Sequence, residues 1–159
     1  HELPDQHFAM VLATRRQLGH WHTGAMSRRS AVLDELEPEA VATLSPGDMS
    51  RMHIEPGDLV RISTRRGVLE LRARADDAVP GSMVFIPFCY AEAPANVLTN
   101  QALDPFGKIP EFKFCAARVE PVAAQRAPPG LRARTRDGMR YWEFVDLAGA
   151  GPDSESPSN

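Results

Sequence analysis

The sequence predicts a small, mainly β domain, a barrel of about six strands with only short helices. Three observations carry that prediction. A chain of 159 residues, 43% hydrophobic and 25% charged, is long enough for one domain with its own core. Six short runs are either wholly apolar or alternate apolar with polar residues, and proline, glycine and aspartate punctuate the gaps. Helical signals are confined to two brief stretches, which favours a barrel over a layered α/β fold.

Residues 1–7 are polar and expected to fray, with the folded domain spanning 8–121. Phe8–Ala13 reads as a buried strand that delivers Thr14–Gly24 as a loop. Ser27–Leu36 has a polar start and spaced apolar residues, the pattern of a short helix ended by Pro38. Ala40–Leu44 is the next strand. Ser45 then offers an N-cap, with Pro46 at the first helical position and Asp48 in the first turn, so a helix runs to about Met52. Leu59–Thr64 and Val68–Ala75 both alternate and flank Arg65-Arg66-Gly67, which predicts a hairpin with one buried face. Met83–Ile86 is a fully apolar strand. Pro87–Pro110 is long and interrupted by prolines, and a loop of that length in a small domain is usually functional. Glu111–Val119 alternates and closes the unit.

Beyond Pro121 the composition shifts. Ala123–Gly138 is rich in Ala, Arg, Pro and Gly, and Gly149–Asn159 is low-complexity and polar, so 122–159 reads as a largely disordered tail. Its short apolar segment, 140–147, is read as a strand packed on the barrel, with a partner-binding segment as the alternative.

Several function classes fall away. No run of eighteen apolar residues exists, so no membrane span is expected. A net charge of −3 argues against a nucleic-acid partner, which needs a clustered basic face. Cys89 and Cys115 make neither a disulfide framework nor a zinc ligand set, and reduced thiols point to the cytoplasm. The chain opens on His1 rather than Met, which suggests a piece of a longer polypeptide.

One stretch is not explained by folding alone. Arg15–Arg29 (RRQLGHWHTGAMSRR) combines two glycines, two histidines around a tryptophan, a threonine and four of the chain's 16 arginines, against only 2 lysines overall. A guanidinium fork suits phosphate or carboxylate, although a general compositional bias toward arginine would look the same. His20 and His22 could offer two imidazoles to a metal from one side of an extended segment. No carboxylate between Arg15 and Ser30 supplies a third ligand, so hydrogen bonding by the histidines, with Trp21 stacked or buried, is the better reading and no metal site is expected. Ser27, Cys89 or Cys115 could pair on paper with a histidine, but no nucleophile signature accompanies them and no catalytic residue is assigned. Lys113, in the closing strand, reads either as a solvated side chain or as a contact to an anionic ligand.

These segments together carry a resemblance. RRQLGHWHTGAMSRR, PEAVATLSPGD, EPGDLVRISTRRG, VFIPF, ANVLTN and ALDPFGKIPEFKFCAARVE resemble, in order from Val11 to Pro121, the C-terminal cofactor-binding domain of molybdopterin oxidoreductases. The NAD-linked formate dehydrogenase and nitrate reductase branch is the most similar, and the ALDPFGKIPEFK segment leans toward formate dehydrogenase. The resemblance implies a six-stranded double-psi β-barrel of the aspartate-decarboxylase-like type. It also implies that Thr14, Arg15, Arg16, Gln17, Leu18, Gly19, His20, Trp21, His22 and Thr23 wrap one molybdopterin guanine dinucleotide. Asn96 and Lys113 fall on the family's other cofactor-contacting positions, and Phe88 on a position near the substrate funnel. The cysteine cluster, the metal-ligating residue and the α/β domains of the whole enzymes are not in these 159 residues, so the molybdenum or tungsten would be held by other parts. The implied role is a non-catalytic module of a formate-dehydrogenase-like enzyme, partnered by its remaining domains or subunits. A stand-alone cofactor-binding or carrier protein, or a nitrate reductase fragment, are the alternatives.

Overall fold

The computed structural model of the chain describes residues 2–122 together with the backbone of Leu131–Arg136 and Met139–Phe144. In chain order the strands are β1 (Met10–Arg15), β2 (Val41–Leu44), β3 (Leu59–Ser63), β4 (Val68–Ala75), β5 (Met83–Pro87), β6 (Asn100–Leu103), β7 (Pro110–Glu111), β8 (Cys115–Pro121), β9 (Leu131–Arg136) and β10 (Met139–Phe144). The helices are α1 (Ala31–Leu36) and α2 (Pro46–Arg51). Six strands close into a barrel in the order β1-β5-β2-β4-β3-β8, so the six-stranded, mainly β expectation holds. Closure removes the exposed edges that an open sheet of this size would present.

The alternation in the sequence sets which residues turn inward. Val60 and Ile62 of β3 pair with Leu71 and Leu69 of β4 across the antiparallel hairpin, as the turn at Arg65-Arg66-Gly67 predicts. Leu12, Leu44, Val60, Ile62, Val84, Ile86 and Cys115 fill the barrel and are fully or almost fully buried. Burial of such a side chain contributes about 1.5–3 kcal/mol. β1 and β5 run parallel, with Arg15 beside Pro87, so both strands release their following loops at the same end of the barrel. That pairing is what assembles the site.

Several boundaries differ from the sequence reading. The first strand is Met10–Arg15 rather than Phe8–Ala13, so Thr14 and Arg15 are strand residues and the loop begins at Arg16. The parallel partner extends to Pro87, and pairing carries β1 two polar residues past its apolar run. The expected helix over Ser27–Leu36 is split. A 3-10 turn over Ser27–Arg29 ends at Ser30, whose extended backbone (φ −89°, ψ 114°) starts α1 afresh. The closing strand is Cys115–Pro121, and Glu111 belongs instead to the small β6–β7 pair within the loop read as irregular. Lys113 therefore precedes the strand. Asp104 explains the local order there: its carboxylate accepts the backbone N–H groups of Phe106, Gly107 and Ile109.

In the region read as a largely disordered tail, β9 pairs antiparallel with β10 in a separate two-stranded sheet. The alternation of Leu, Ala and Thr with three arginines supplies a strand period that composition hides. The rest of 123–159, including 145–147 of the apolar segment, lies outside the described residues. Among the described residues no helix is long and apolar enough to cross a membrane.

The segment ahead of β1 is fastened to the β3–β4 turn. Glu2 pairs with Arg65 at 2.6 Å and Arg66 at 2.5 Å, and Asp5 also meets Arg65. Burial pushes the Glu2 carboxyl up, but hydrogen bonds and charge from Arg66 and Arg65 outweigh it and hold the group below its ordinary 4.5. A depressed carboxyl adds stability above its unfolded value and loses it as pH falls through the folded one. Glu2→Gln is therefore expected to lower the urea midpoint at neutral pH and to flatten its acid dependence below about pH 4.5. Parallel midpoint–pH curves for the two proteins would exclude this clamp.

Candidate functional site

The site forms where β1 and β5 end. The register that sets Leu12 beside Cys115 brings the residues before β8 alongside Thr14. Thr14 donates to the Phe112 carbonyl from both its backbone N (3.2 Å) and its Oγ1 (3.1 Å). Lys113 Nζ in turn donates to the Thr14 carbonyl at 2.5 Å. This bond holds the ammonium beside the end of β1, and among the described residues its other two N–H donors have no partner.

After Arg15 the chain turns at Gly19 (φ 96°), His22 (φ 50°) and Gly24 (φ 77°). His22 adopts left-handed backbone that costs a non-glycine residue about 1 kcal/mol. Its ring stands edge-on to Phe88, with centroids 5.4 Å apart. Phe88 arrives on the loop that follows β5. Asn96 arrives on a 3-10 turn, Ala95–Val97, anchored by buried Ala95 and Leu98.

Two hollows result. The first, of about 290 Å³, is lined by Thr14, Arg16, His22 and Thr23 from the first loop. Phe88, Asn96, Phe112 and Lys113 complete it. Its polar lining consists of two cations, one imidazole, one amide and two hydroxyls, with no carboxylate, and Arg16 has no acidic partner among the described residues. Such a donor set suits a phosphorylated or otherwise anionic group. The second hollow, of about 570 Å³, shares Arg16 and His22 with the first. It continues past Gln17, Leu18, Gly19, His20 and Trp21 to Ser27 and Leu33.

The residues singled out in the sequence thus converge, with corrections. Arg15 lines neither hollow; it turns toward Asp76, 3.7 Å away, because strand alternation carries it off the loop side. Trp21 is 70% exposed rather than buried or stacked within the chain. His20 and His22 both line the second hollow, but only His22 also reaches the first. His20 is 5% exposed, packs edge-on against Tyr90 at 5.6 Å, and contacts the Glu37 carbonyl through Nε2 at 2.9 Å. Phe112 and Tyr90 were missed; the aromatic residue beside Lys113 and the buried polar ring after VFIPFC were their signals.

A polar cluster braces the loop from behind. Arg28 bonds Asp34 at 2.9 Å and Glu92 at 2.5 Å and lies over the Tyr90 ring, 4.6 Å from its centroid. Burial, reinforced by Cys89 and Glu37, pushes the Tyr90 phenol far above its ordinary range, so its hydroxyl stays protonated and donates to the Glu37 carbonyl at 2.9 Å. Burial likewise raises the Cys89 and Cys115 thiols, which rest as buried neutral groups. Among the described residues no three His, Cys, Asp or Glu side chains gather as a metal ligand set.

Residues 10–116 match the family profile described as Molydopterin dinucleotide binding domain. The chain belongs to this family. Its cofactor class is therefore a molybdopterin dinucleotide, and the cationic, hydroxyl-rich first hollow fits the diphosphate such a molecule carries. The F420-dependent formate dehydrogenase subunit alpha of Methanocaldococcus jannaschii is 43% identical over 121 residues. Subunit alpha of F420-dependent formate dehydrogenase 1 from Methanococcus maripaludis is 41% identical over the same length. Each alignment covers 76% of this chain but 18% of the relative, so this molybdopterin-dinucleotide-binding domain spans under one-fifth of those subunits. Acetylene hydratase from Pelobacter acetylenicus shares the fold, with a TM-score of 0.65 at 18% identity, over 74% of this chain and 19% of that one.

Proposed function

We propose that this chain is the cofactor-binding domain, over residues 8–121, of a molybdenum- or tungsten-dependent, formate-dehydrogenase-like oxidoreductase in the cytoplasm, and that it is inactive alone. Both relatives are named for formate dehydrogenase, which favours formate over nitrate as the substrate of the assembled enzyme; both are named F420-dependent, whereas the resembled branch is NAD-linked. The observation that carries the reading is the convergence of Arg16, His22, Thr23, Asn96 and Lys113, from three separate segments, on one hollow free of carboxylates.

When bound, the molybdopterin guanine dinucleotide supplies the metal–dithiolene chemistry of the two-electron step. This chain's part is to bind and orient it. Arg16 and Lys113 neutralise the diphosphate, Thr23 offers a hydroxyl, and Asn96 offers an amide to the ligand's polar edge. Phe88, half-buried beside His22, walls the side from which substrate would approach. Leu18 and Trp21 expose their apolar surfaces at the rim, which supports covering by the remaining domains of the enzyme.

Titrating the chain with molybdopterin guanine dinucleotide tests the assignment. Arg16→Met and Lys113→Met are each expected to weaken binding by roughly tenfold to a hundredfold, the loss of one charge-assisted contact. Unchanged affinity in both variants, with unchanged melting temperature, would remove the first hollow as the phosphate site.

A further inference from the structure

The β6–β7 pair forms an arm whose apolar residues serve no core of this chain. Phe106, near its tip, is 93% exposed, and Leu103 and Ile109 are exposed beside it. Single exposed apolar side chains are ordinary, but a cluster of them on one short element marks a contact surface. The arm is held in shape by its own bonds. At its base Asn100 donates through Nδ2 to Glu111 at 2.9 Å and through its backbone N to Cys115 Sγ at 3.0 Å. At its tip the Asp104 carboxylate accepts from Phe106, Gly107 and Ile109, and Asp104 N donates to the Ile109 carbonyl at 3.1 Å. Lys108 Nζ closes the turn on the Pro105 carbonyl at 3.0 Å. Backbone bonds thus present the Phe106 ring to the outside in a fixed position.

An open groove of about 520 Å³ runs beside the arm. Leu3, Ile109, Pro110, Phe112 and Phe114 give it apolar walls. Phe112 and Lys113 line this groove and the first hollow alike, so the two share a wall. We infer that the arm and the groove are the docking surface for the remainder of the enzyme, with Phe106 as its anchor. Phe106 enters an apolar pocket of that protein, and an apolar segment of it fills the groove. The inference rests on the cofactor-domain reading above. Two observations choose this occupant. The matched segment is only 18% of each relative, so most of such a subunit is protein outside this domain. The shared wall then sets the groove against whatever protein closes over a cofactor in the first hollow. A preformed arm loses little freedom on docking, and buried aromatic anchors carry much of an interface's energy. Filling the groove also restrains Lys113, so docking and cofactor binding favour one another.

Phe106→Asp tests this in two settings. In the full chain alone, the variant is expected to keep the melting temperature and the affinity for molybdopterin guanine dinucleotide of the unsubstituted chain. In the complete enzyme the same substitution is expected to lower the amount of assembled, cofactor-retaining protein by roughly tenfold or more, the loss of one anchor. Phe106→Leu, which keeps an apolar side chain, should recover most of it. A photoreactive benzoylphenylalanine at position 106 is expected to cross-link, in the complete enzyme, to residues of that enzyme outside this domain.

Full assembly and cofactor content with Phe106→Asp, or a cross-link that joins two copies of this domain or reaches no part of the enzyme, would overturn the docking assignment and leave the cofactor assignment standing. A lowered melting temperature of the variant chain alone would return Phe106 to the chain's own packing and overturn it as well. Failure of the unsubstituted chain to bind molybdopterin guanine dinucleotide would instead overturn the cofactor assignment, and this inference with it.

Discussion

Gly24→Ala is expected to destabilise the chain by about 2–4 kcal/mol and to abolish binding of the cofactor, because two independent penalties meet at one position. A Cβ at Gly24 would lie 2.5 Å from the Cys89 carbonyl oxygen and 3.0 Å from Arg28 Cγ. The first of these is backbone and cannot swing aside. The residue also sits at φ 77°, where an alanine is strained even in open space. Gly24 donates to the Trp21 carbonyl and accepts from Arg28 N, so any movement that relieves the clash also displaces the chain carrying His22 and Thr23. Gly47→Ala is the matched control. It lies in α2 with nothing within 4 Å of the added methyl, and a change within about 1 kcal/mol is expected there. Urea midpoints of the two variants compare directly. A Gly24 variant no worse than the control would mean that the loop does not pack against Cys89.

Asp48→Ala is expected to lower stability by on the order of 3 kcal/mol, although the residue lies far from the cofactor hollows in sequence. Asp48 is 1% exposed, and its carboxylate accepts the Ser82 N–H at 2.7 Å and pairs with Arg51 at 2.6 Å. Ser82 is itself at φ 61°, and its carbonyl accepts from Val11 N at 2.9 Å. One carboxylate thus ties α2 to the start of the β1–β5 parallel pair. Truncation leaves a buried N–H without a partner on a strained residue. Asp48→Asn keeps an acceptor at the same place and should lose distinctly less. Equal losses for the two variants in thermal unfolding would show that the Ser82 bond contributes little.

These two positions differ in how they could be found from the sequence. Asp48 follows Ser45-Pro46-Gly47 and is visible as a helix-opening acid; Ser45 Oγ does accept the Asp48 N–H at 3.1 Å. Its bond to Ser82 joins residues 34 apart and has no local sign. Gly24 stands in a motif that marks it as special, yet the carbonyl that excludes a methyl comes from Cys89, across the barrel end. The same holds for the site. The donors of the first hollow are legible as residue types in RRQLGHWHTG, ANVLTN and PEFKF. Their convergence is not, because it depends on parallel pairing of β1 with β5 and on the Leu12–Cys115 register.

By itself, the sequence determined the class of fold, the hairpin of β3 and β4, the helix opened by Ser45, and the chemistry available to a ligand. Each of these depends on periodicity, turn chemistry or side-chain identity within a few residues. Only the tertiary structure decided that Arg15 pairs with Asp76, that Lys113 is held by the Thr14 carbonyl, and that His20 is buried against Tyr90 while His22 stands against Phe88. These outcomes arise where a side chain meets atoms tens of residues away, and strand closure, not local preference, brings those atoms together.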